Sequence, residues 1–226
     1  MSLLRSAWLI AKKDLLIEAR SRELLSTTLF LAIACVLVFS FAFVREGRVM
    51  EGAAAGILWV AVIFSGTLAL GRTFERERQS ETLRALVLAP VERAAVYLGK
   101  LIALIVLMAA VEIVVVPVIG LFFRAPLGQA PLMLIALLGF GTIGFAAVGT
   151  LFSAMLARTR SRDVLLPILL YPMTVPIVIG GVMGTSAIFD PEPDLARAQM
   201  LLSMLVFFDA VFVTLAIWTF GPVMRD

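Results

Sequence analysis

Histidine is absent from the 226 residues, and cysteine occurs once, at Cys35. Without histidine the chain cannot assemble a His-ligated zinc or haem site, a Ser-His-Asp triad or a Cys-His nucleophile pair, and a single cysteine forms no internal disulfide. Most protease, hydrolase and metalloenzyme chemistry is thereby excluded. Charge is also scarce, at 15% of residues with a net +3, which is little for a nucleic-acid surface, and no nucleic-acid partner is expected. The pattern G-x-x-x-x-G-K-S/T does not occur, so there is no P-loop to hold nucleotide phosphates, and any ATP must be hydrolysed by another protein. What fills the chain is apolar. Hydrophobic residues make up 62% and the mean hydropathy is +1.06, the composition of a protein that lives in a bilayer.

Runs long enough to cross about 30 Å of hydrocarbon, roughly 20 residues at helical rise, fall at 24–44, 52–71, 101–123, 131–157, 164–188 and 201–224. Blocks such as Leu101 to Phe123 are apolar on every face and lack the period-2 alternation of a barrel strand, so helices are expected. The predicted fold is an all-α integral membrane protein, one transmembrane domain over 1–226 with six spans. Lys and Arg alternate in density along the gaps. Arg5, Lys12, Lys13, Arg20 and Arg22 precede the first span, the 72–100 segment carries six more, and Arg158, Arg160, Arg162 and Arg225 follow on the same side. Only Arg45, Arg48, Arg124 and Arg197 lie on the other side, so the positive-inside rule puts both termini in the cytosol. Residues 1–23 are too charged for a signal-peptide n-region, the following apolar run is too long for an h-region, and no cleavage is expected. Cys35, after Ala32-Ile33-Ala34, reads as a small packing residue inside the first span.

At 100° per residue, Leu4, Trp8, Ala11 and Leu15 share a narrow stripe opposite Arg5, Lys12, Lys13 and Arg20. This predicts an amphipathic helix over 1–23 lying on membrane lipid, with Trp8 at the headgroup boundary and Lys12 and Lys13 toward anionic heads. The plainer alternative is a charged tail that only fixes orientation. The 72–90 connection reads as a short cytosolic helix: Glu75 and Arg78, then Glu81 and Arg84, are spaced to pair, while Leu83, Leu86 and Val87 give it an apolar edge before Pro90. Arg72, Glu75, Glu77, Glu81, Leu83, Arg84 and Leu86 are its candidate docking residues, against the alternative of a solvated loop.

Glu112 stands mid-way along the third span and Asp209 inside the sixth, where a carboxylate costs roughly 2.5–3.5 kcal/mol to insert. With no cation inside the predicted spans, each is expected to be protonated or hydrogen-bonded to Ser, Thr or Tyr, serving either a pathway or helix-to-helix polar contact. A G-x-G-x-x-G at Gly139, Gly141 and Gly144 has no strand before it and sits in a span, so it reads as close helix packing, as do the pairs Gly52/Gly56 and Gly180/Gly184. Pro167, Pro172 and Pro176 predict a kinked fifth helix followed by a short re-entrant piece before Asp190-Pro-Glu-Pro-Asp194, with Tyr171 beside a candidate pathway.

Several segments together resemble the cytochrome c maturation protein B (CcmB) family, the haem-exporter membrane subunit: Lys13-Asp14-Leu15, Glu18-Ala19-Arg20-Ser21-Arg22-Glu23, Gly56-Ile57-Leu58-Trp59-Val60, Phe74-Glu75-Arg76-Glu77-Arg78, Leu88-Ala89-Pro90-Val91-Glu92-Arg93, Tyr97-Leu98-Gly99-Lys100 and Val111-Glu112 to Pro117. The resemblance covers nearly the whole chain. It implies the ABC-2 exporter fold, with an amphipathic helix before span one and a coupling helix between spans two and three. It also implies a partner ATPase, CcmA, companions CcmC and CcmD, a functional link to the haem chaperone CcmE, and two copies in the complex. Glu75, Glu77, Glu81 and Arg84 then become candidates for transmitting the ATPase's motion. No catalytic residues, bound metal or directly bound cofactor are implied; ATP acts through the partner and haem is a handled ligand. Haem ligation by this chain itself would need Met, Tyr171 or Cys35, less usual choices than histidine. Two other readings stay open at this point: an ABC-2 permease for a drug, lipid or polysaccharide, and a proton-coupled secondary transporter using Glu112 and Asp209.

Overall fold

The computed structural model describes residues 3–45, 48, 49, 52–73, 92–157, 159 and 161–223. Among them are seven helices, which we number α1 Leu3–Ser21, α2 Glu23–Phe43, α3 Ala53–Thr73, α4 Arg93–Phe123, α5 Pro131–Met155, α6 Arg162–Phe189 and α7 Leu195–Val223. The two-residue strands β1 Val44–Arg45 and β2 Arg48–Val49 pair antiparallel between α2 and α3. Helices α2 to α7 are the six long and apolar enough to cross a membrane.

Each boundary has a local cause. Arg22 takes a left-handed conformation (φ 53°) that ends α1, its N–H bonding Glu18 O at 2.7 Å. The Glu18 carboxylate then accepts the Leu25 N–H at 2.8 Å, satisfying a donor in the first turn of α2 that lipid could not. Arg124, also left-handed (φ 51°), stops α4. Pro131 opens α5, where its missing N–H costs nothing. Asp194 caps α7 through Oδ1, which accepts the Arg197 N–H at 2.9 Å, and so α7 starts at Leu195, ahead of the apolar run at 201. Polar residues inside α2 are accommodated the same way: the Thr28 hydroxyl donates to Leu24 O at 2.7 Å and the Ser40 hydroxyl to Leu37 O at 2.7 Å.

α3 lies at the centre and packs against α2, α4, α5 and α6. α5, α6 and α7 pack on one another, while α2 covers α3 and α4. Lipid tails are as apolar as leucine, so these helices associate through close packing rather than through the hydrophobic effect, and small residues set the closeness. Trp59 of α3 shows how. It is 1% exposed, its ring lies against Gly141 of α5 and Gly181 of α6, and its Nε1–H donates to Thr185 Oγ1 at 3.0 Å. Gly144 accommodates Asp209 and Ile177, Gly149 accommodates Leu70, Gly180 faces Met204 and Leu205, and Gly184 faces Leu137. The expected packing role therefore belongs to Gly141, Gly144, Gly180 and Gly184. Gly139 and Gly56 face open space, and a Cβ on Gly52 would make only ordinary contact with Ser186. Spacing of four places two glycines on one helix face without saying whether a neighbour lies there.

The fifth span also differs from expectation. α6 runs unbroken through Pro167, Pro172 and Pro176 to Phe189, with no re-entrant piece. Gly180, Gly181 and Gly184 are buried contact points for α7, α3 and α5, and packing on three helices holds the backbone helical there.

α1 packs against the first turns of α4. Its protein-facing side is Ser6, Ala7 and Ala11, while Leu4 (75% exposed) and Trp8 (57%) face away. The stripe Leu4, Trp8, Ala11, Leu15 is thus split between two environments: Ala11 is buried beside Ala7, whose carbonyl lies with Ile10 against Gly99 of α4, while Leu4 and Trp8 are exposed.

Candidate functional site

The two acids inside the spans sit on helix faces turned toward protein. On α7 the buried positions Ala198, Leu201, Leu205, Asp209, Ala216 and Phe220 recur every three or four residues, apart from the half-buried Phe212, so Asp209 belongs to the one stripe that meets the bundle. Glu112 is 8% exposed and accepts a hydrogen bond from the Thr142 hydroxyl of α5. Asp209, 6% exposed, lies beside Gly144 of α5, and neither of its carboxylate oxygens has a hydrogen-bond partner among the described residues. Thr142 and Gly144 are about 200° apart around α5. The acids therefore address different flanks of that helix, and no hydrogen-bond chain joins them among the described residues.

Tyr171 lines a cleft of about 490 Å³ between α2, α3 and α6. Its walls include Leu31, Phe64 and Leu68, with Arg72 and Asp163 at the helix ends. An apolar body with polar groups at one end suits an amphiphile. The cleft offers no nucleophile paired with a base, and among the described residues no group of three or more His, Cys, Asp or Glu could hold a metal.

Trp8, Lys12 and Lys13 are all exposed on α1, on the sides not packed against α4. Arg72 is exposed in the last turn of α3. Glu75, Glu77, Glu81, Leu83, Arg84 and Leu86 lie outside the described residues.

Two cations that the charge pattern assigns to loops are instead buried in helices. Lys100 of α4 is 3% exposed; its Nζ lies 2.8 Å from Asp14 Oδ2 of α1 and donates to Thr73 O of α3 at 3.1 Å. Arg162, at the start of α6, donates through Nη2 to Leu70 O at 2.9 Å, and the Ser153 hydroxyl of α5 donates to the same carbonyl at 2.9 Å. These contacts converge on the last turn of α3, the turn that leads into the 74–91 segment. The sequence held one clue, and only for Lys100: it follows Ala94-Ala95-Val96-Tyr97-Leu98-Gly99, so the apolar run of its helix is already under way.

The relatives agree with this architecture in length and extent. The chain is 32% identical over 152 residues to heme exporter protein B of Paracoccus denitrificans, covering 67% of this chain and 69% of that one. It is 26% identical over 172 residues to heme exporter protein B of Rhodobacter capsulatus (76% and 78%), and 24% identical over 170 residues to that of Haemophilus influenzae (75% and 76%). The family described as CcmB protein matches residues 5–225, almost the whole chain. A family match of that extent, over a bundle with six membrane-capable helices, places this chain in the CcmB family.

Proposed function

We propose that this chain is the membrane subunit of an ABC-type complex that handles haem during cytochrome c maturation, with ATP hydrolysed by a separate partner. The observation that carries the reading is the family match along residues 5–225 in a chain that has six membrane-capable helices and no phosphate-binding loop of its own. The partner ATPase is CcmA, and CcmC, CcmD and the chaperone CcmE act with it. Two copies of this chain serve the two-fold symmetry of a paired ATPase. Both termini face the cytosol of the inner membrane, which puts α1 and residues 72–90 on the ATPase side.

In this mechanism ATP binding closes the paired ATPase, which pushes the 72–90 segment through Leu83, Leu86 and the charges of Glu75, Glu77, Glu81 and Arg84. The push reaches α3 directly, because the segment continues from Thr73. α3 touches four other spanning helices, so its movement rearranges the bundle and drives export of haem or release of haem-loaded chaperone.

The test is to tag the protein, extract it in mild detergent and identify what co-purifies, with and without Leu83→Glu plus Leu86→Glu. Recovery of an ATPase with CcmC and CcmD, lost in the double variant, is the expected result. An ATPase without those companions would indicate an exporter of another substrate. No ATPase at all would overturn the coupling reading in favour of a proton-coupled carrier.

A further inference from the structure

Leu70 and Thr73 lie in the final turn of α3 as the described residues bound it, where a cation is favoured by the helix dipole. Both carbonyls are occupied by buried side chains from other helices: Leu70 O by Ser153 of α5 and Arg162 of α6, Thr73 O by Lys100 of α4. Lys100 is also ion-paired to Asp14 of α1, itself only 19% exposed. One residue earlier, Gly99 brings α4 against α1 so tightly that a Cβ there would lie 2.7 Å from Ile10 Cβ and 2.8 Å from Ala7 O. Burial makes the Lys100–Asp14 ion pair costly to break by removing one partner. Asp14 also lies 3.1 Å from the Nζ of Lys13 on its own helix.

We propose that Lys100 is a positioning residue that locks α1 to the end of α3, so that displacement of the last turn of α3 moves the N-terminal helix with it, while Arg162 and Ser153 carry the same displacement to α6 and α5. This rests on the coupling function proposed above. In it α1 is a lever rather than a passive anchor. Its exposed face of Leu4, Trp8 and Leu9 meets the surroundings, and its buried face is packed on α4, whose Lys100 reaches the end of α3. The order of elements supports the arrangement: the chain leaves α3 at Thr73 and re-enters α4 through Glu92 and Arg93, and Lys100 joins those two helices directly.

The experiment uses the full complex in nanodiscs, with spin labels at Leu16 of α1 and Val206 of α7, both exposed positions. Their separation is measured by pulsed EPR without nucleotide and with ATP and vanadate. The variants are Lys100→Met, Lys100→Arg and Asp14→Asn; the last removes the ion pair while leaving the Thr73 contact in place. The expected result is a nucleotide-dependent shift in the native protein and in Lys100→Arg. Lys100→Met should lose the shift, and Asp14→Asn most of it, while both retain the ATPase and its basal turnover. A full shift in Lys100→Met and Asp14→Asn would overturn the proposal. If the native protein brings down no ATPase, the functional reading fails separately. The lock is then read on the isolated protein from label mobility at Leu16, which should rise in Lys100→Met and stay low in Lys100→Arg; equal mobility in all three would refute it.

Discussion

Glycine-to-alanine substitution at Gly139, Gly141 and Gly181 separates packing from pattern, because the three positions share a chemistry and differ only in what faces them. Within a helix, Gly→Ala is favourable by about 0.5–1 kcal/mol from backbone entropy alone. At Gly139 the new methyl meets nothing within 4 Å, so that gain stands and the protein should be slightly stabilised. At Gly181 the methyl would lie 2.8 Å from Trp59 Cδ2 with other ring atoms closer still, and at Gly141 it would meet the far edge of the same ring. Trp59 cannot swing away without giving up its 3.0 Å bond to Thr185. Overpacking of this kind costs typically about 1–3 kcal/mol; set against the entropic gain it leaves a net loss of up to about 2.5 kcal/mol. For a chain of this size that corresponds to a fall of up to about 10 °C in Tm. Thermal stability of the detergent-solubilised protein, followed by fluorescence-detected size exclusion, measures it. Combining Gly181→Ala with Trp59→Phe should recover part of the loss, since the smaller ring frees the volume that the methyl needs. Equal melting of the Gly139, Gly141 and Gly181 variants would refute the packing argument.

Tyr97→Phe removes a hydroxyl that donates to Ala147 O at 3.0 Å between α4 and α5; inter-helical bonds in bilayers average about 0.6 kcal/mol, so the melting shift should be small and a loss above about 2 kcal/mol would contradict it. Glu112→Gln keeps an oxygen that can accept from Thr142 and should leave transport intact, whereas Glu112→Leu strands the Thr142 hydroxyl and should lower stability; Asp209→Asn, assayed beside them, should lose transport if an ionisable group is needed at that site, and full activity in it and in Glu112→Gln would remove the ionisable role. Single cysteines at Glu192 and Ser161, introduced with Cys35→Ala, should react with impermeant maleimide from opposite sides of the membrane, Glu192 from outside; labelling of both from one side would refute the proposed orientation.

The six spans were legible because membrane thickness sets a length and hydrocarbon forbids unpaired backbone, two constraints that act on composition alone. The helical character of the first twenty or so residues was legible from periodicity, yet the face it turns to the protein was not. In α1 the large apolar Leu4 and Trp8 point away from the bundle, and the inward face holds Ser6, Ala7 and Ala11, with Ala7 O and Ile10 close against Gly99 of α4. The same inversion governs the glycines. Pattern identified Gly141 and Gly144 together with Gly139 and Gly56, but only the partner helix decides which of them is filled, and the partner is fixed by chain tracing across more than a hundred residues, as with Trp59 and Thr185.

Lys100 and Arg162 went unread for a different reason, and it bears on the site. Counting positive charge treats every Lys and Arg near a span end as a signal to the membrane, since a charge there is ordinarily hydrated. The last described turn of α3 presents the Leu70 and Thr73 carbonyls at that same depth, and a buried cation bonded to them is no longer replaceable by another surface charge. The two roles predict different tolerance. Moving Lys12 or Arg20 by one residue preserves orientation, whereas moving Lys100 by one residue turns its ammonium about 100° away from both Asp14 and Thr73. The acids follow the same logic in reverse: Glu112 has found a donor on the neighbouring helix and reads as a structural contact, while Asp209 has none, which makes it the buried group whose presence packing alone does not explain.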